Sequence, residues 1–172
     1  MTVSTKKGDL GMTNLACGKR VSKSSLSLEV CGTLDELCSF LGLLRAEKLS
    51  QADDLFLDEI QKNLLTIAGE ISMAANTSRI VGAPLSQLEQ EMIQLEKKVP
   101  PLTSFLLPSG TRTAALFHVV RTVCRRLERH MVALQESESA VLPLAYINRL
   151  SDFFFIMARM ENQRKNVREE NL

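Results

Sequence analysis

The chain has 172 residues, 45% of them apolar and 24% charged, with a formal net charge of +1. That length and ordinary composition suit a single globular domain, expected to span residues 1–172. A charge so close to zero gives no long-range attraction to nucleic acid or to an anionic membrane, so any anion site must be local.

The first residues lack a basic-then-apolar signal pattern, and no apolar run approaches the roughly 18 residues of a membrane span. Cys17, Cys31, Cys38 and Cys124 show neither a CxxC motif nor zinc-ligand spacing. They read as reduced thiols used for packing, and the expected setting is cytoplasmic.

Residues 1–25 carry no sustained helical period. The stretch Thr5-Lys-Lys-Gly-Asp-Leu-Gly-Met-Thr13 and the later Gly18-Lys-Arg-Val-Ser-Lys23 predict a loop or hairpin. It is not a Walker A loop, because no GK[ST] follows and no helix opens at once. Such a segment is either a plain surface turn or a set of N–H groups and hydroxyls that can cradle phosphate.

Helical spacing begins near Leu28. Val30, Leu34, Leu37, Leu41 and Leu44 step by three and four, predicting a helix over about 28–47. Asp35 and Glu36 fall off that stripe and read as solvated acids. Phe56, Ile60, Leu64, Ile67 and Ile71 predict a second helix over about 52–75. After a break, Ser86-x-x-Glu89 reads as a capping box that opens a third, shorter helix, which Pro100-Pro101 stops.

The connector Leu102-Thr-Ser-Phe-Leu-Leu-Pro-Ser-Gly-Thr111 sets three apolar residues where turns are normally polar. Such a run usually tucks under its loop as a satellite of the core. The alternative is an apolar lid or ligand wall. Thr111 can cap a fourth helix running to about Leu134, and a fifth is predicted from about Pro143 to about Gln163. Residues 163–172 are polar and expected to form a flexible tail. Five helices with almost no strand signal argue an all-α up-and-down bundle.

The fourth helix carries the strongest chemical signal. In Arg121-Thr-Val-Cys-Arg-Arg-Leu-Glu-Arg129, a turn of about 100° per residue gathers Arg121, Arg125, Glu128 and Arg129 on one side, with His118 among them. Leu116, Val120, Val123, Leu127 and Leu134 face the other way. Guanidinium groups at i and i+4 repel unless an anion lies between them, and Glu128 answers only part of that charge. On the fifth helix Ile147, Leu150, Phe154 and Met157 make a core face, while Asn148, Asp152, Phe155 and Arg159 make a second stripe.

Several chemistries are excluded. A di-iron centre of the ferritin type needs two Glu-x-x-His pairs, but Glu128 and His130 are spaced Glu-x-His and the chain has two histidines. Nucleophilic catalysis by Ser or Cys needs a histidine partner, and His118 and His130 point about 120° apart. What remains suits a polyanion with a flat organic part, such as a nucleoside triphosphate. A helical-bundle protein that binds without turnover, or a structural bundle with solvated arginines, also fits this pattern.

Five blocks, in order and covering about Val3 to Asn162, resemble the PduO-type ATP:cob(I)alamin adenosyltransferases. They are Thr5–Thr13, Glu29-Val-Cys-Gly-Thr-Leu-Asp-Glu-Leu37, Phe105-Leu-Leu-Pro-Ser-Gly-Thr111, Arg121–Arg129 and Tyr146-Ile-Asn-Arg-Leu-Ser-Asp152. Leu10 and Ser109 depart from the family pattern, beside motifs that bond through the backbone.

The resemblance implies a ferritin-like five-helix bundle with an N-terminal ATP-binding loop, assembled as a homotrimer with sites between subunits. It implies ATP, magnesium and a reduced corrinoid such as cobalamin at that site. Thr5, Lys6, Gly8, Thr13 and Lys23 would lie near the phosphates. Arg125, Glu128 and Asn148 match ATP positions, with Glu128 toward magnesium, and Arg126 and Arg129 match neighbouring basic positions. Asp35 and Arg121 match a pair that bridges subunits beside the corrinoid. Phe105 matches the aromatic that keeps the lower axial ligand off cobalt. The implied reaction displaces triphosphate from the 5′-carbon of ATP, with Co(I) as nucleophile and adenosylcobalamin as product. A reductase and an adenosylcobalamin-dependent enzyme are the implied partners.

Overall fold

In the computed structural model, which describes residues 6, 8–75, 77–138 and 140–172, a short hairpin precedes five helices. Strands β1 (Met12–Asn14) and β2 (Arg20–Ser22) pair antiparallel, with Thr13 opposite Val21. Gly18, at φ +85, supplies the left-handed residue of the tight turn between them. The helices are α1 (Leu26–Arg45), α2 (Gln51–Ser72), α3 (Ala83–Glu96), α4 (Arg112–Glu138) and α5 (Leu144–Arg164).

The apolar stripe of α1 is buried along its length, from Val30 through Leu44. In α2, Leu57 is buried alongside Ile60, Leu64, Ile67 and Ile71, and Ser50 caps the helix by accepting from the Asp53 N–H at 3.2 Å. The third helix departs from its expected start. It opens at Ala83 after Gly82, so Ser86 sits inside the first turn, its N–H donating to the Gly82 carbonyl. Pro84 explains the difference, because its fixed φ suits a first helical turn and starts the coil before the capping box. Thr111 does cap α4, its hydroxyl accepting from the Ala114 N–H at 3.0 Å. That helix continues one turn past Leu134.

Side-chain pairs fix the packing. Glu36 meets Arg126 and Glu47 meets Arg112, so α1 and α4 run antiparallel. Asn63 bonds Tyr146 and Asp53 bonds Arg164, so α2 and α5 run antiparallel. Gln87 reaches Glu59, Pro84 borders one hollow with Asn63 and Glu91 another with Ala52, so α3 runs antiparallel to α2. The result is an up-and-down bundle with one core between the helices. In it α5 is enclosed most fully, burying Tyr146, Phe153, Phe154, Met157 and even Arg159, Glu161 and Asn162. No helix of the described residues is long and apolar enough to cross a membrane.

The hairpin docks on the end of α2, where the Ala16 and Cys17 N–H groups donate to Ser72. Antiparallel packing places that end beside the C-terminus of α4. The Phe105 loop precedes α4 and so lies at the opposite end. It does not tuck beneath itself: Phe105 is 83% exposed, and Leu102 and Leu107 are also exposed. The polar segment after α5 returns to this loop. The Leu107 N–H donates to the Glu170 carbonyl and the Leu172 N–H to the Phe105 carbonyl.

Candidate functional site

On α4 the arginine stripe separates into different environments. Arg126 pairs with Glu36 on α1, so its charge is answered within the chain. Arg129 folds along its own helix and donates to the Arg125 carbonyl at 3.1 Å. Arg125 is exposed and has no carboxylate partner among the described residues. Arg121 is half-buried, and its Nε is fully buried without a hydrogen-bond partner among the described residues. Burial, and then the neighbouring charge of Arg125, pull the Arg121 guanidinium below its ordinary range. That is the signature of a cation waiting for an anion.

His118 lies one turn before Arg121 and is buried, contrary to a place on a purely polar face. Its Nδ1 has no hydrogen-bond partner among the described residues, and its ring meets Phe155 edge-on with centroids 6.0 Å apart. Burial and then Arg121 hold its pKa down, against a smaller opposing effect of Glu169. The imidazole is therefore neutral near pH 7.

Glu128 and Asn148 come together as their helical stripes imply. Asn148 Nδ2 donates to Glu128 Oε1 at 2.8 Å, joining α4 to α5. Arg149, which helical spacing had left off both stripes, supports this pair. It donates to Asn148 Oδ1 at 3.3 Å and to Glu89 on α3 at 3.1 Å. Its signal was adjacency in the Asn-Arg dipeptide rather than a shared face. Glu128 Oε2 makes no hydrogen bond among the described residues. Those residues contain no cluster of three or more His, Cys, Asp or Glu that could cage a metal. One carboxylate with one free oxygen does fit magnesium that arrives on a triphosphate, since that ion keeps phosphate and water ligands.

At the hairpin, Lys23 closes over the loop before β1. Its Nζ lies 2.9 Å from the position a Cβ on Gly8 would take, so a side chain there would displace the ammonium. Thr13 is half-buried on β1 and Lys6 is exposed, with φ +58. Thr5 lies outside the described residues. Leu10 is 89% exposed, so its side chain takes no part in the core. Ser109 contributes its carbonyl, which accepts from Asn162, so its side chain is not what the loop uses.

Asp35 is exposed on α1 and forms no ion pair with Arg121 within the chain among the described residues. The thiols on the helices are held protonated. Burial and then Asp35 push Cys38 up to about 11, and burial raises Cys124 further. A cavity of about 370 Å3 lies between the hairpin and the end of the bundle, lined by Leu15, Val21, Ile71 and Leu134. It is not the arginine face, which stands open in one chain.

Lengthwise, the site residues form a series. Helical rise of about 1.5 Å per residue puts Arg112, beside the Phe105 loop, about 24 Å from Glu128. Arg121 and Arg125 fall between them, and the hairpin lies beyond.

A model of the family described as cobalamin adenosyltransferase matches residues 3–161. The chain is 40% identical over 164 residues to a cobalamin adenosyltransferase of Cupriavidus metallidurans, covering 94% of this chain and 88% of that one. It is 39% identical over 174 residues to the corrinoid adenosyltransferase of Bacillus subtilis, covering 97% and 90%. Among solved structures it resembles a variant PduO-type ATP:corrinoid adenosyltransferase from Lactobacillus reuteri complexed with cobalamin and ATP. There the TM-score is 0.92 at 29% identity, covering 99% of this chain and 96% of that one.

Proposed function

The chain belongs to the cobalamin adenosyltransferase family and carries out ATP-dependent adenosyl transfer to a corrinoid, and we propose that the arginine face of α4 and α5 is where it does so. The observation that carries this placement is Arg121 and Arg125, two cations without carboxylate partners among the described residues, two turns and one turn before Glu128 of the bonded pair Glu128–Asn148.

The electron pair of Co(I) attacks the 5′-carbon of ATP. A cobalt–carbon bond forms, the C5′–O5′ bond breaks with its electrons leaving on triphosphate, and cobalt becomes formally Co(III). No protein nucleophile or base is required, in keeping with the raised cysteine pKa values and the neutral His118. The chain's work is positioning and charge balance. Arg125, Lys6 and Lys23, with Thr5, Gly8 and Thr13 alongside, receive the triphosphate, and Arg129 adds to the field. Each charge-assisted bond to phosphate contributes about 1.5–3 kcal/mol. Glu128, oriented by Asn148, holds magnesium through ATP; when bound, that ion neutralises charge developing on the leaving group.

The series along α4 gives the substrates a direction. The triphosphate lies toward the hairpin and the corrinoid toward Phe105, with the reacting carbon between. The exposed Phe105 ring stands on the lower face of the corrinoid, excludes an axial ligand and so eases reduction of Co(II) to Co(I). Asp35 of one copy pairs with Arg121 of the next in a homotrimer, which supplies the anion that the buried Nε lacks. A one-electron reductase must feed this site, and an adenosylcobalamin-dependent enzyme must take its product. The four free cysteines support a cytoplasmic setting.

The test is to mix the protein with ATP, magnesium and chemically reduced cobalamin and to analyse the products. Adenosylcobalamin and inorganic triphosphate in equal amounts are expected. Release of phosphate or diphosphate without a cobalt–carbon bond would overturn the reading.

A further inference from the structure

The Phe105 loop displays its apolar residues to solvent, so packing does not hold its shape. Polar contacts hold it at three places, and all of them trace to one turn of α5. At the start of the loop, buried Arg159 donates through Nη2 to the Pro100 carbonyl at 2.8 Å. At its end, buried Asn162 donates through Nδ2 to the Ser109 carbonyl and accepts the Thr111 N–H on Oδ1 at 2.9 Å. Gly110, at φ +108, lies against that amide, and a Cβ there would fall on it.

The middle is held indirectly. Arg159 grips Glu169 through Nε at 2.9 and 3.2 Å and through Nη2 at 3.0 Å. The Asn162 carbonyl accepts the Val167 N–H at 2.9 Å. These contacts turn the chain back so that residues 170–172 lie antiparallel to the loop, with Leu106 opposite Asn171. Ser104 Oγ adds a bond to Asn171 Oδ1 at 3.0 Å. In an extended segment alternate side chains face opposite ways. Pairing at Leu106 therefore turns Leu106 toward the protein, where it is half-buried, and sends Phe105 and Leu107 outward together.

We propose that Arg159, Asn162 and Glu169 are positioning residues, which hold residues 169–172 as a strap that aims Phe105 at the corrinoid. The proposal rests on the reading of Phe105 as the wall beneath cobalt. At the root of the strap a hollow of about 340 Å3 is bounded by Pro100, Arg159, Val167 and Glu169, so the Arg159–Glu169 grip borders open space. Loss of the Arg159–Glu169 grip frees the pairing at Leu106 and lets the Phe105 backbone rotate. ATP binding, at the far end of α4, is untouched.

The experiment compares Glu169→Gln, Leu172→Pro, Phe105→Ala and the double variant Phe105→Ala/Glu169→Gln in the full chain. Leu172→Pro removes the N–H that bonds the Phe105 carbonyl and leaves the core alone. Electron paramagnetic resonance reads the fraction of bound Co(II)cobalamin lacking its lower ligand, and steady-state kinetics reads KM for ATP. Glu169→Gln and Leu172→Pro are expected to lower that fraction and kcat several-fold, with KM for ATP unchanged. The double variant is expected to match Phe105→Ala, because the strap acts through that ring. If Phe105→Ala changes cobalt coordination while both strap variants leave it at the wild-type level, the strap proposal is overturned. A parallel loss of ATP affinity and coordination in the strap variants also overturns it, since that marks general loosening. If Phe105→Ala itself leaves coordination unchanged, the failure lies in the reading of Phe105.

Discussion

Asn148 Nδ2 donates to Glu128 Oε1 at 2.8 Å, and this bond commits one carboxylate oxygen while leaving the other for a ligand. The amide fixes the rotamer of the carboxylate before any substrate arrives. Glu128→Gln is expected to raise the magnesium concentration needed for half-maximal rate and to lower kcat/KM for ATP about 10–100-fold, the worth of one charge-assisted contact. Titration of rate against magnesium reads both. An unchanged magnesium dependence would remove Glu128 from the metal.

Arg121 has a buried Nε without a partner, while Asp35 is exposed. Arg121→Asp should weaken the oligomer by several kcal/mol, on the order of 2–5, because it removes the cation and sets a second carboxylate against Asp35. The swapped pair Asp35→Arg/Arg121→Asp should restore it. Light scattering across a dilution series gives the mass, and equal masses for wild type and Arg121→Asp at every concentration would contradict the contact.

Gly110 combines φ +108 with the Asn162 amide against its α-carbon. Gly110→Ala should therefore destabilise the chain by about 1–3 kcal/mol from backbone strain alone. Displacement of Asn162 adds to that. Chemical denaturation measures it, and a wild-type midpoint would show that the loop can shift freely.

His118 predicts a pH dependence. Its folded pKa lies below the unfolded value of about 6.5, because burial and Arg121 disfavour the imidazolium. The unfolded state then binds more protons between the two values, so stability is full above about pH 6.5 and falls as pH drops through the folded pKa. Thermal melts from pH 7.5 to pH 5 should show this fall, diminished in His118→Phe. Identical pH profiles for the two proteins would remove His118 as the cause.

The bundle was legible because apolar spacing at three and four residues is a packing instruction, as the buried line Val30 to Leu44 illustrates. The Glu128–Asn148 contact was legible for the same reason, since each residue lay on a polar stripe of its own helix. Arg126 shows what spacing cannot give: it belongs to the same cluster as Arg125, yet Glu36 on another helix neutralises it. The burial of Arg159 and Asn162 was illegible too. Both are polar, and the backbone groups they bind belong to a loop far away in sequence. The start of α3 was misread because Pro84 opens a helix as readily as a capping box does.

Arg125 and Arg126 are neighbours in sequence, one with no carboxylate partner among the described residues and the other paired with Glu36. The most direct test of the arginine face compares Arg125→Ala with Arg126→Ala for adenosylcobalamin formation from ATP and reduced cobalamin. Arg125→Ala is expected to depress turnover about 10–100-fold with helical circular dichroism intact. Arg126→Ala, which breaks a half-exposed pair worth at most about 1 kcal/mol, should retain most of the rate. Wild-type turnover in Arg125→Ala would contradict the account.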